Sequence, residues 1–292
     1  MTDEGTLVAG AGLMGHGIAQ ALAATGRSVI LYEPDRSRAH AGRDRIAGNL
    51  DRSVAKGRLE ADERDAILGR IAPSDDLADA ADVELVVEAV FEDLAVKSAL
   101  WADLDRRVKP DAIFATNTSS IAIDRLAQSV SDARRARFVG MHFFSPVPVM
   151  PLIELIRGSA TSDETEAAVR ALAADMGKQV IVSADRPGFI VNRILMPFLG
   201  EAMRAYADGL GSAADIDTGA KVGLNHPMGP LELADFIGLD VCLGIMRVLH
   251  EGFGEPHFAP PPILEELVAA GRLGQKSGQG FHSYPKDPSP AR

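Results

Sequence analysis

Up to residue 183 the apolar positions fall into short blocks of two kinds. Compact apolar runs bounded by turn residues predict buried strands: TLVA at 6–9, SVILYE at 28–33, VELVVEAV at 83–90, AIFATN at 112–117, RFVGMHFF at 137–144, PLIELI at 151–156 and KQVIVS at 178–183. Between them lie helical runs: GIAQALAATG, stopped by Gly26, a helix ending about Arg107, and one from about Asp163 to Met176, stopped by Gly177. Residues 37–71 are charged and helical, with a break near Lys56-Gly57 and a second helix from about Ala61. An α/β unit normally returns to its sheet sooner, so this stretch is expected to be an inserted helical hairpin. Beyond Asp185-Arg186-Pro187-Gly188 the pattern becomes all-helical, with runs at about 188–208, 212–222, 229–250 and 263–271, and Pro187 and Gly188 suit the first turn of the first of these. That change places a domain boundary near Pro187, giving domains 1–186 and 187–292.

The first strand runs directly into Gly10-Ala11-Gly12-Leu13-Met14-Gly15 and then a helix. This is G-x-G-x-x-G in its meaningful context: Gly10 permits the tight turn, Gly12 lets the backbone approach a pyrophosphate, and Gly15 lets helix and strand pack closely. The helix N-terminus then offers amides to the anion. The second strand ends at Glu33, 18 residues after Gly15, where a carboxylate accepts from ribose hydroxyls and repels a 2′-phosphate. NAD is therefore favoured over NADP, although Arg36 nearby is basic. A glycine-rich turn without a ligand is the alternative. The expected fold is α/β: a Rossmann-type, mainly parallel sheet with an inserted helical hairpin, followed by an all-α C-terminal domain.

Composition narrows the function. A formal net charge of -11 argues against a sequence-independent grip on nucleic acid or an anionic membrane. The single cysteine, Cys242, cannot form an intrachain disulfide, so a reducing, cytoplasmic setting and a buried structural thiol are expected. Residues 6–25 are small and apolar, but Asp3 and Glu4 precede them and glycines interrupt them, so they are expected to fold rather than act as a leader. Seven histidines scattered without ligand spacing suggest no metal.

Candidate chemistry sits in GMHFFSPVPVMPLIELI, residues 140–156, where His142 and Glu154 are the only titratable side chains. Such a pair suggests a general base held by an acid; the alternative is a core histidine beside a surface glutamate. On an extended LIELI, Glu154 shares a face with Leu152 and Ile156, as a half-buried carboxylate would. Asn117-Thr118-Ser119-Ser120 follows a strand, where ligands of open α/β sheets bind, and could equally cap a helix beginning at Ile121. Glu92, Asp93 and Lys97 open the helix after VELVVEAV. Lys56 and Arg58 at the hairpin tip could meet an acidic ligand or simply face solvent. Asn192, in the apolar run FIVNRILMPFL, wants a partner, either a ligand or the core.

VAGAGLMGHGIAQ, NTSS, GMHFFSPVPVMPLIELI, DRPGFIVNRI and HPMGPLELADFIGLD, in this order and spacing, resemble the L-3-hydroxyacyl-CoA dehydrogenase family, including bacterial 3-hydroxybutyryl-CoA dehydrogenases. The resemblance runs nearly the whole chain, through GRLGQKSGQGF. It implies that NAD lies on the loop of Gly10, Gly12, Leu13, Met14 and Gly15, with Glu33, Glu92 and Lys97 beside it; Asn117, from its place after the strand, is expected at the cofactor too. It makes His142 the catalytic base and Glu154 its partner, and places Ser119 and Asn192 on the substrate. Lys56 and, more weakly, Asn49 fall where the family's hairpin contacts coenzyme A. Because Asn192 belongs to the second domain, the resemblance implies a site in the interdomain cleft, closed by domain motion, and a homodimer formed through the helical domain.

Three positions depart from the family pattern: Ser145 stands where most relatives have asparagine, Pro151 where most have lysine, and His282 where they often have tyrosine. The first two leave acyl specificity open. The same chemistry on a carrier-protein thioester or a dicarboxylic acyl-CoA is the close rival. An inactive NAD-binding structural or regulatory protein is the rival of another class.

Overall fold

A computed structural model describes residues 5–284, so Asp3 and Glu4 lie outside the described residues. The chain divides into two compact units at the Arg186–Pro187 junction. In the first, β1 (Thr6–Ala9), α1 (Leu13–Ala24) and β2 (Val29–Tyr32) lead into the hairpin of α2 (Arg36–Ala55) and α3 (Ala61–Gly69), which returns through β3 (Ile71–Ser74). Then come β4 (Leu85–Glu88), α4 (Leu94–Arg107), β5 (Ile113–Thr116), α5 (Ile123–Ala127) and α6 (Asp132–Arg135). The unit ends with β6 (Phe138–Phe143), β7 (Leu152–Arg157), α7 (Asp163–Asp175) and β8 (Gln179–Ala184).

The eight strands lie in the order β3-β2-β1-β4-β5-β6-β7-β8 and pair in parallel except β6 with β7. β1 and β4 are buried along their whole length, because helices cover both faces, and so read as unbroken apolar runs. The winding reverses between β1 and β4, which opens a crevice at their C-terminal ends, the place where α/β sheets bind ligands. β3 was not expected from the sequence: IAPS is four residues long with Pro73 inside it, and it is tolerated because it is an edge strand pairing only with β2. Trp101 on α4 stacks on Phe114 and meets Phe138 edge-on, with centroids 4.9 Å away in each case, pinning that helix to β5 and β6.

α2 is capped by Asp35, whose carboxylate accepts from the amides of Ser37 and Arg38. Residues 36–58 carry seven basic and two acidic side chains. Arg45, Arg52, Lys56 and Arg58 are exposed. The first helix of the hairpin and its tip are thus a basic arm on an acidic protein, while α3 is acidic.

The second unit has α8 (Val191–Ala207), α9 (Ala213–Thr218), α10 (Pro230–Ile237), α11 (Leu239–Phe253) and α12 (Pro262–Ala269) around its own apolar core. Two expectations fail here. The run 229–250 is two helices, because Gly238 at φ 104° breaks it. Pro187 and Gly188 do not begin a helix: Gly188 (φ 75°) and Phe189 (φ 52°) are left-handed, and α8 starts only at Val191. Two buried carboxylates order the rest. Asp217 accepts the amides of Leu231 and Glu232 at the start of α10 and pairs with His282 Nε2 at 2.6 Å. Asp235 accepts the amides of Phe281 and His282 and the Tyr284 hydroxyl. Cys242 is fully buried, and burial, reinforced by the charges of Asp240 and Asp235, pushes its thiol up to about 12. No described helix is long and apolar enough to cross a membrane.

Candidate active site

Because β1, β4, β5 and β6 run in parallel, the glycine loop, the segment after Glu88, the 117–120 turn and His142 stand side by side at one sheet edge. β7 runs back from that edge and carries Glu154 as its third residue. One edge therefore collects most of the candidate residues.

Gly10 has φ 105°, and a Cβ there would run into the carbonyl of Ala89 after β4. A Cβ on Gly15 would overlap the Gly10 carbonyl oxygen, so only glycine permits this turn. Gly12 faces open space and begins α1 with no side chain capping the helix. Leu13 is exposed, and Met14 packs against the core. The loop therefore leaves open space beside the amides at the start of α1, as the approach of a pyrophosphate requires. Glu33, 9% exposed, accepts the Ala11 amide on Oε2 at 2.9 Å and faces Arg38 with Oε1 at 3.1 Å. It braces the loop at the place where a ribose diol would be read, so these residues fit NAD.

His142 and Glu154 are direct partners in the antiparallel register of β6 and β7. Nδ1 lies 2.8 Å from Oε2; the histidine is 7% exposed and the glutamate wholly buried. The ring engages the carboxylate through Nδ1. Asn117 Oδ1 accepts the amide of Phe143 at 2.8 Å, so the asparagine expected beside the cofactor also steadies the strand next to His142.

Glu92 organises the next turn. Its Oε1 accepts from Thr118 Oγ1 (2.6 Å), Ser119 N (2.9 Å), Ser120 N (3.0 Å) and Ser120 Oγ (2.7 Å), with Ser119 Oγ farther away at 3.4 Å. The serines do not cap α5; Asp185 accepts the amides of Ile123 and Asp124 instead, and Thr118 Oγ1 takes that of Ile121. Burial would push the Glu92 carboxyl up, but Lys97 at 3.1 Å and the Thr118 and Ser120 hydroxyls together hold it below its ordinary value.

Lys97 is 1% exposed and lies between Glu92 and a residue the sequence reading passed over, Glu88. Glu88 is wholly buried; its Oε1 meets Lys97 Nζ at 2.5 Å and the Val90 amide at 2.8 Å, and its Oε2 accepts from Thr116 Oγ1 at 2.6 Å. An acid closing an apolar strand, nine residues before a lysine, was the available signal. Removing one member of such a buried pair costs about 3–5 kcal/mol.

A second lysine, Lys178, which unlike Lys97 is not among the predicted residues, shapes the turn between β6 and β7. It is nine-tenths buried, and its Nζ donates to the carbonyls of Val147 (2.7 Å) and Met150 (2.8 Å). Burial lowers its affinity for the proton. Pro151 accepts the Gln179 amide through its carbonyl, the one main-chain bonding group that proline keeps.

The hairpin candidates stand apart from this edge cluster. Asn49 donates to Gln20 Oε1 at 3.3 Å and accepts from Arg52, while Lys56 is exposed at the end of α2. A hollow of about 560 Å³ is lined by Asn49 together with His16, Asp44, Arg45 and Arg52, which makes the two arginines candidates that the sequence did not single out. Asn192 lies on the first turn of α8 in the second unit.

Residues 6–186 match the model of the 3-hydroxyacyl-CoA dehydrogenase NAD-binding domain, and residues 188–284 match that of the 3-hydroxyacyl-CoA dehydrogenase C-terminal domain. The chain belongs to the 3-hydroxyacyl-CoA dehydrogenase family. A probable 3-hydroxybutyryl-CoA dehydrogenase of Deinococcus radiodurans is 48% identical over 277 residues, covering 95% of this chain and 99% of that one. Mycobacterium tuberculosis FadB2 has a solved structure that superposes with a TM-score of 0.93 at 45% identity, over 97% of this chain and 99% of the other. The (S)-3-hydroxybutyryl-CoA dehydrogenase PaaH1 of Ralstonia eutropha gives 0.93 at 44% identity, over 98% and 100%. As a 3-hydroxyacyl-CoA dehydrogenase, the chain is an oxidoreductase acting on a CH–OH group with NAD, and the glycine loop braced by Glu33 is the part of it that suits the dinucleotide.

Proposed function

We propose that this dehydrogenase interconverts short-chain L-3-hydroxyacyl-CoA and 3-ketoacyl-CoA, with His142 as its base. The observation that carries this reading is the cross-strand pair of His142 and Glu154 at the sheet edge that also bears the dinucleotide loop. NAD, when bound, accepts the hydride from C3 of the alcohol. His142 Nε2 takes the hydroxyl proton as the C3–H bond breaks and its electron pair departs, so the oxygen closes the carbonyl. Glu154 keeps the proton of neutral His142 on Nδ1 and stabilises the imidazolium that forms. Ser119 donates to the oxygen as its charge changes. Glu92, Lys97 and Asn117 border the cofactor. Arg45, Arg52, Lys56 and Asn49 suit the phosphates of coenzyme A.

The test follows acetoacetyl-CoA reduction as loss of NADH absorbance. His142→Ala is expected to lower kcat by about 10²–10⁴-fold while NADH binding persists. Wild-type turnover in that variant, or no turnover of any 3-ketoacyl-CoA by the native protein, overturns the reading. Short, long and carboxylated 3-ketoacyl-CoA substrates compared side by side define the acyl preference.

We also propose a homodimer through the second unit, where Leu210, Val222, Leu224 and Phe236 are exposed apolar side chains. Sedimentation as a monomer at assay concentration overturns it.

A further inference from the structure

We propose that Glu88 is a positioning residue of this reaction, acting through Lys97 and Glu92 on Ser119. The proposal rests on the reading of Ser119 as a substrate contact. Glu88, Lys97 and Glu92 form one line of alternating charge, with contacts of 2.5 Å and 3.1 Å, that leaves the end of β4 and finishes in the 118–120 turn. Tying β4 to β5 needs only the Thr116 hydroxyl on Glu88 Oε2. The other oxygen holds Lys97 and the Val90 amide, and Lys97 in turn carries the line on to Glu92, with the Val90 carbonyl farther off at 3.5 Å.

The far end of the line is built to fix a backbone and spare a hydroxyl. Glu92 Oε1 holds the amides of Ser119 and Ser120 and the hydroxyls of Thr118 and Ser120 within 3.0 Å. The Ser119 hydroxyl, at 3.4 Å, is the loosest of the set and can turn towards a substrate oxygen while its own main chain stays fixed. Without the Glu88 charge, the buried Lys97 ammonium has one carboxylate left, moves onto it, and draws Glu92 away from the turn. Ser119 then loses its placement without being altered itself.

A double-mutant cycle on acetoacetyl-CoA reduction tests this. Ser119→Ala is expected to lower kcat by about 10²-fold, as loss of an oxyanion donor does. Glu88→Gln, nearly isosteric, is expected to lower it by about 10-fold in the native background and to have no further effect in the Ser119→Ala background, because the two residues act as one unit. An equal fold-loss from Glu88→Gln in both backgrounds marks a general structural role and overturns the inference while leaving Ser119 in place. Native turnover in Ser119→Ala overturns the reading of Ser119 and this inference with it. If Glu88→Gln does not fold, Glu88→Asp, which keeps the charge but draws it and Lys97 back from Glu92, replaces it in the same cycle, and the same outcomes decide.

Discussion

Glu92 carries a measurable signature of its surroundings. Burial alone would raise its proton affinity, yet Lys97 and the turn hydroxyls hold its carboxyl below the ordinary value of 4.5. A depressed carboxylate contributes stability above its unfolded value and loses it as pH falls through the folded one. The thermal midpoint of Glu92→Gln should therefore lie below that of the native protein at about pH 6, and the gap should close towards about pH 3. A gap that stays constant across that range would show that Glu92 contributes nothing through its charge. At this scale the His142 and Glu154 pair was legible because two titratable groups stood out in an apolar stretch. Glu88 and Lys178 did not stand out in that way, because only the fold selects their partners: Lys97 and Thr116 for one, two turn carbonyls for the other. Nothing in the sequence said that Asn117 would accept the amide of Phe143, since that bond depends on β5 and β6 being neighbours.

Among the elements, the central strands were legible because burial on both faces writes them as continuous apolar runs. β3 was missed for the opposite reason: an edge strand can be short, contain proline and still pair along its one bonded side. The hairpin emerged from its charge pattern and the Lys56-Gly57 break, and Gly57 does take φ 64°. Helical periodicity ran through Gly238 without a mark, because a glycine inside an apolar run reads the same whether it continues a helix or ends one. The opposition of His142 and Glu154 was beyond reach of periodicity, which assigns a face but no register. The turn that joins β6 to β7, tied by Lys178 to two of its carbonyls, lies between the two paired residues.

For the whole molecule, a net charge of -11 sits awkwardly with two polyanionic ligands. If the total governed encounter, added salt would screen repulsion and speed it. The exposed arginines and lysine of the hairpin predict the reverse, since a local field of opposite sign steers an anion even towards an acidic protein. Raising ionic strength from about 0.05 M to about 0.3 M should lower kcat/KM for acetoacetyl-CoA several-fold. Replacing Arg45 and Arg52 by glutamine should flatten that dependence, and a rise with salt in the native protein would defeat the steering account. The same asymmetry reaches the bench. A chromatographer guided by total charge would purify this protein on an anion exchanger, yet a column bearing immobilised nucleotide or a sulfonated dye should also retain it, by the arm rather than the bulk, and release it with salt.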